Sequence, residues 1–145
     1  MTTSGTPDST LDGTAPPILD QAFDGDSLYA LRAAVAAHAS AAGLARGRTE
    51  DIVIAVHELA ANVVRHGPGR GRQRVWRAAD ALRCEVSDDG NGQHADEPSP
   101  QAQWRIRPGH GLWLVRQLAD HTRVNTGLHG TIVTLVFGVA AKPAR

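Results

Sequence analysis

One amphipathic helix, predicted from Thr49 to Gly67, constrains the fold of this 145-residue chain more than any other segment. Its apolar side chains recur every three or four residues, so they form one stripe that must pack against a core. The stripe consists of Ile52, Val56, Leu59 and Val63. Thr49 is a suitable N-cap residue. The helix ends at residues 67–69, which are Gly-Pro-Gly. The domain must therefore supply an apolar surface for this helix.

Turn residues and apolar patterns divide the rest of the chain into short elements. We predict a strand over residues 18–23, a helix over residues 28–42 that is capped by Asp26 or Ser27, and a third helix over residues 112–120. Further strands are predicted over residues 73–78, 82–87, 122–126 and 131–138. Trp113, on the third helix, is expected to pack in or near the core. This order predicts an α+β fold, a two-layer sandwich of a mixed, mostly antiparallel sheet with three helices on one face.

Length and composition favour one globular domain. A chain of 145 residues that is 41% hydrophobic can bury a single ordinary core. We expect this domain to span residues 18–140, between a disordered N-terminal tail over residues 1–17 and a disordered C-terminus over residues 141–145. We find no secretory signal and no apolar run of membrane-spanning length, and the single Cys84 fits a reducing compartment. These features predict a cytoplasmic protein without membrane contact.

The charge balance argues against a nucleic-acid-binding protein. Fifteen basic residues offset fifteen acidic ones, so no overall field attracts polyanions. Arginines do cluster between Arg65 and Arg77. One interpretation of this cluster is a basic face that binds nucleic acid. We favour a second interpretation, a solvated loop and an edge strand.

Glu58 and Asn62 on the predicted long helix are four residues apart and therefore share one face. A carboxylate beside a carboxamide oxygen suits Mg²⁺, which takes few protein oxygens and completes its shell with waters and phosphates. Glu58 can alternatively accept a proton from an attacking hydroxyl group or water. Arg65 and His66 follow about one turn later. Ordinary solvent-exposed polar residues would show the same spacing.

Two glycine-rich turns lie downstream of this helix. Residues 88–92, Asp-Asp-Gly-Asn-Gly, follow a predicted strand, where glycines permit positive φ and close approach of the backbone to a ligand. A carboxylate at that strand end can accept a hydrogen bond from an exocyclic amine such as that of adenine. Residues 109–112, Gly-His-Gly-Leu, open the third helix, and helix N-termini bind phosphate oxygens. The first turn also fits a plain turn after a strand, and the second matches neither a P-loop nor a dinucleotide fingerprint.

In their order and spacing these motifs resemble the GHKL superfamily of ATP-binding domains, over residues 28–137. Within it, the chain is most similar to bacterial anti-sigma factor serine/threonine kinases. The likeness rests on Glu-x-x-x-Asn-x-x-x-His-Gly at residues 58–67, Asp-x-Gly-x-Gly at residues 88–92, Gly-x-Gly-Leu-x-Leu-Val at residues 109–115, and Gly-Thr at residues 130–131.

The resemblance implies ATP and Mg²⁺ as cofactors and a role for each matching residue. Asn62 would hold Mg²⁺, Glu58 would be the general base, and Asp88 would receive the adenine amino group. The other implied nucleotide contacts are His66, Gly90, Gly92, Gly109, His110, Gly111, Leu112 and Thr131. We add Arg105 and Arg107, because their charge and their place before the second glycine turn suit the γ-phosphate.

The same resemblance implies the partners of the protein. They are a small anti-sigma factor antagonist protein that is phosphorylated on serine or threonine, a sigma factor, and a second copy of the chain in a homodimer. A different interpretation is a nucleotide-binding regulator that binds partners but transfers no phosphate. His57 and Glu58 also suggest a zinc enzyme. The zinc motif requires a second histidine four residues after the first, and this chain has Ala61 there.

Overall fold

The computed structural model describes residues 15–90 and 112–140. In chain order the elements are β1 (Leu19–Asp24), α1 (Leu28–Ala41), α2 (Arg46–His66), β2 (Arg70–Ala78), β3 (Ala81–Asp88), α3 (Leu112–Leu118), β4 (His121–Gly127) and β5 (Gly130–Gly138). The strands form one sheet in the order β1-β2-β3-β5-β4, and each pairing among these described strands is antiparallel. The predicted α+β fold class is confirmed. The predicted tails lie mostly outside the described residues, and the domain boundaries stay a prediction.

The core lies between the helices and one face of the sheet. Burial alternates along β3, so Leu82, Cys84 and Val86 face inward, and their partners on β5 are buried as well. The apolar stripe of α2 packs into the same cluster, as predicted. Burial raises the pKa of the Cys84 thiol to about 12, so this cysteine stays protonated at neutral pH. None of the described helices is long and apolar enough to cross a bilayer.

The other face of the sheet carries paired charges. Arg72 and Arg74 both contact the Asp20 carboxylate on β1, and the hydrogen bond from Arg72 is the main reason that the pKa of Asp20 lies below its usual value. The Arg83 guanidinium lies 4.1 Å from the centre of the Trp76 ring. The prediction of an edge strand for this arginine-rich segment was wrong, because β2 lies between β1 and β3.

Two further expectations about the helices were wrong. Helix α2 begins at Arg46, with Ala45 as its N-cap residue, and Thr49 lies inside the first turn. The earlier start is explained by a tertiary contact. Arg48 of that turn is buried against the end of α3 and stabilises the helical conformation before Thr49. Trp113 is 62% exposed. Leu112 and Val115 lie on the buried face of α3, and Trp113 points away from that face to solvent.

Candidate functional site

The C-terminal half of α2 carries the first motif. Asn62 is fully buried, Glu58 one turn earlier is half-buried, and His66 is the half-buried last residue of the helix. Arg48, Ala55 and Asn62 are seven residues apart and all buried, so they lie on one stripe of α2. The buried position of Asn62 argues against an ordinary solvent-exposed polar residue.

The carboxamide oxygen of Asn62 faces positive charge. Nη2 of Arg65 donates a hydrogen bond to Oδ1 of Asn62 at 3.0 Å. This oxygen is the atom that the resemblance assigns to Mg²⁺, and the hydrogen bond from Arg65 uses one of its two lone pairs. Arg65 was not among the predicted site residues, although its three-residue spacing from Asn62 was the available signal.

Asp88 and Thr131 form the second part of the site. They are direct neighbours across the β3–β5 pairing, and both are buried, with exposed fractions of 6% and 3%. Oδ1 of Asp88 accepts a hydrogen bond from the backbone N–H of Gly90 at 2.7 Å, which closes the turn after β3. The turn therefore holds a carboxylate at the end of a strand, where an acceptor for an amino group was predicted.

Two glycines allow the chain segments at this place to touch. Gly130 has a φ of +111°, and a Cβ there would lie 2.0 Å from the carbonyl oxygen of Asp88. Gly90 has a φ of +71°, and its Cβ would lie 3.3 Å from Cα of Gly130. The start of β5 thus packs backbone against backbone on the turn after β3. Gly130 belongs to the structure of the site, although it was not among the predicted nucleotide contacts.

Several predicted residues are buried, either on the helices or on the face of the sheet that the helices cover. Helix α2 packs against β2, β3, β5 and α3, and Asp88 and Thr131 lie on the side of the sheet that faces the helices. Asp88 and Thr131 therefore lie between the sheet and the helices, and Asn62 and Leu112 are buried residues of the helices that pack there. The remaining predicted contacts, Gly92, Arg105, Arg107, Gly109, His110 and Gly111, lie outside the described residues, and their roles stay predictions.

The side-chain oxygens of Asn62 and Glu58 fit Mg²⁺ bound together with a nucleotide. The Asn62 carboxamide and the Glu58 carboxylate supply oxygen, which is the element that Mg²⁺ prefers, and Mg²⁺ commonly takes only one or two protein ligands. Within residues 15–90 and 112–140, no three histidine, cysteine, aspartate or glutamate side chains converge as a metal site. Phosphate oxygens and water would complete the shell of an ion held by Asn62.

Comparison with known families supports this interpretation of the fold. The family model of the histidine kinase-like ATPase domain matches residues 22–137, which run from β1 to β5 and include all the motifs. The class defined by fold and site is that of GHKL-type ATP-binding domains. The chain belongs to the family of histidine kinase-like ATPase domains. Membership implies ATP binding, usually together with Mg²⁺. A comparison with curated proteins found no match.

Proposed function

We propose that the protein is an ATP-dependent serine/threonine kinase of the anti-sigma factor type. It phosphorylates a small antagonist protein, sequesters a sigma factor, or does both, in the cytoplasm and as a homodimer. The observation that carries the proposal is the half-buried Glu58 carboxylate, one turn before the buried Asn62 on the same helix. A site that only binds nucleotide does not require a proton acceptor at this position. Phosphoryl transfer to a hydroxyl group does require one.

The catalytic work of such a site is positioning and charge stabilisation. Asn62 would hold Mg²⁺, which would neutralise phosphate charge, and Arg65 donates a hydrogen bond to the same carboxamide oxygen. Asp88 orients the base of the nucleotide by accepting a hydrogen bond from its amino group. Glu58 takes the proton of the serine or threonine hydroxyl group as the hydroxyl oxygen bonds to the γ-phosphorus. The bond from that phosphorus to the bridging oxygen of ADP breaks in the same step.

Glu58→Gln tests the proposed role of the carboxylate. Glutamine keeps the shape of the side chain but cannot accept the proton, so we expect phosphorylation of a candidate antagonist to fall about a hundredfold. Affinity for ATP should be retained, because the proposed contacts of Asn62 and Asp88 stay in place. The measurement is transfer of labelled γ-phosphate to serine or threonine, together with ATP binding by calorimetry.

Glu50→Gln is the matched control for this experiment. Glu50 lies on the same helix, its side chain is 67% exposed, and it forms an ion pair with Arg46 at 4.0 Å. Its variant should phosphorylate the antagonist as the wild-type protein does. If the wild-type protein binds ATP but labels no antagonist, the non-catalytic regulator becomes the better account. If Glu58→Gln stays fully active, Glu58 is not the proton acceptor.

A further inference from the structure

A buried arginine joins α2 to the end of α3, far from the ATP site. The Arg48 side chain is only 2% exposed. Its Nη1 donates to Oδ2 of Asp51 at 2.8 Å and to the carbonyl oxygen of Leu118 at 2.9 Å. Its Nη2 donates to Oδ2 of Asp120 at 3.0 Å, and the guanidinium lies 5.0 Å from the centre of the Phe137 ring. One side chain thus contacts three elements of the fold.

Asp120 extends this connection to the sheet. Its Oδ2 also accepts a hydrogen bond from the N–H of Gly138 at 2.6 Å, and its own N–H donates to the carbonyl oxygen of Val136 at 2.9 Å. Both Gly138 and Val136 belong to β5. The C-terminal end of α3 is therefore held by α2 on one side and by β5 on the other.

The direction of α3 connects this end of the domain to the ATP site. Helix α3 packs against α2, and its C-terminal end lies beside the first turn of α2. Its N-terminal end, with the buried Leu112, must then lie farther along α2, towards Glu58 and Asn62. Asn62 is about 21 Å from Arg48 along the axis of α2, and the seven residues of α3 cover about 10 Å of that length.

We infer that Arg48 is a positioning residue for the ATP site, acting through α3. By holding Leu118 and Asp120, it sets where Leu112 lies relative to Glu58 and Asn62. The fixed fork of a guanidinium can bind a carbonyl and a carboxylate at once, which the single ammonium of lysine does with less geometric precision. The inference rests on the proposed ATP site and adds to it a determinant four turns away.

The test compares two carboxylates that bind the same guanidinium. Asp120→Asn weakens the contact between elements, whereas Asp51→Asn weakens a contact within α2 and serves as the control. Arg48→Lys keeps the charge and loses the fork. We expect Arg48→Lys and Asp120→Asn to bind MgATP roughly tenfold more weakly than the wild-type protein. Hydrogen exchange of residues 112–118 in the free protein should be faster in both, and Asp51→Asn should match the wild type in both measurements.

All binding is measured by calorimetry at temperatures where circular dichroism shows each variant to be folded. Wild-type affinity in Arg48→Lys and Asp120→Asn, or unchanged exchange of residues 112–118, would overturn the inference and leave the ATP site standing. An equal loss of affinity in Asp51→Asn would also overturn it, because the effect would then not depend on the contact between Arg48 and the end of α3. A wild-type protein that binds no ATP overturns the proposed function and the inference with it.

Discussion

Replacing Gly130 with alanine is expected to lower the free energy of unfolding by about 3 kcal/mol or more. The new Cβ would lie 2.0 Å from the carbonyl oxygen of Asp88 and 2.6 Å from the carbonyl carbon of Asp89. Both are backbone atoms, so relief requires the turn after β3 to move away from β5. The φ of +111° adds strain that is independent of this overlap. Protein that remains folded should bind ATP poorly, because Asp88 and Thr131 are displaced together.

The measurement is urea denaturation followed by circular dichroism, with Gly127→Ala as the control. Gly127 faces Gly130 across the same hairpin, but a Cβ there would meet nothing within 4 Å. We expect its midpoint to stay close to that of the wild-type protein, with a change within about 0.5 kcal/mol. Equal urea midpoints for the two alanine variants would show that the backbone contact at Gly130 does not affect the stability of the protein.

Arg48→Met is expected to destabilise the protein by about 3 kcal/mol, the lower end of the range for breaking a buried ion pair. The substitution leaves the Leu118 carbonyl and the carboxylates of Asp51 and Asp120 without their common donor. These carboxylates are 28% and 33% exposed, so water can partly replace the guanidinium, and the lower end of the range applies. Urea denaturation at neutral pH measures the loss.

Arg46→Met is the control for this second prediction. Arg46 lies two residues earlier on α2, and its side chain is 95% exposed, 4.0 Å from Glu50. Exposed pairs of this kind contribute between zero and about 1 kcal/mol, so little stability should be lost. Similar losses in both arginine variants would contradict the view that the buried contacts of Arg48 hold α3 in place.

Much of the fold follows from local patterns. Each of these patterns lies within a short stretch of sequence. They are the apolar stripe of α2, the alternating residues of β3 and β5, and the glycines after α2. These features predict the type and order of the elements. The same holds for Glu58 and Asn62, whose four-residue spacing puts them on one helical face wherever the helix packs. The motifs of the site were predictable for this reason.

The features that were missed depend on contacts between distant segments. The start of α2 is set by the contact of Arg48 with the end of α3, which overrides the capping preference of Thr49. Likewise, the place of β2 inside the sheet depends on β1, which pairs with it from far along the chain. The requirement for glycine at residue 130 comes from the backbone of Asp88. No periodicity or short motif carries such information.

Calorimetric titration of ATP, with and without Mg²⁺, into the wild-type protein and into Asn62→Ala tests the assignment of the site most directly. We expect the wild-type protein to bind ATP more tightly when Mg²⁺ is present, because the Asn62 carboxamide supplies the protein oxygen for the ion. The alanine variant should remain folded by circular dichroism and should bind ATP with the same lower affinity in both conditions. A gain from Mg²⁺ in Asn62→Ala as large as in the wild-type protein would contradict the assignment of the site.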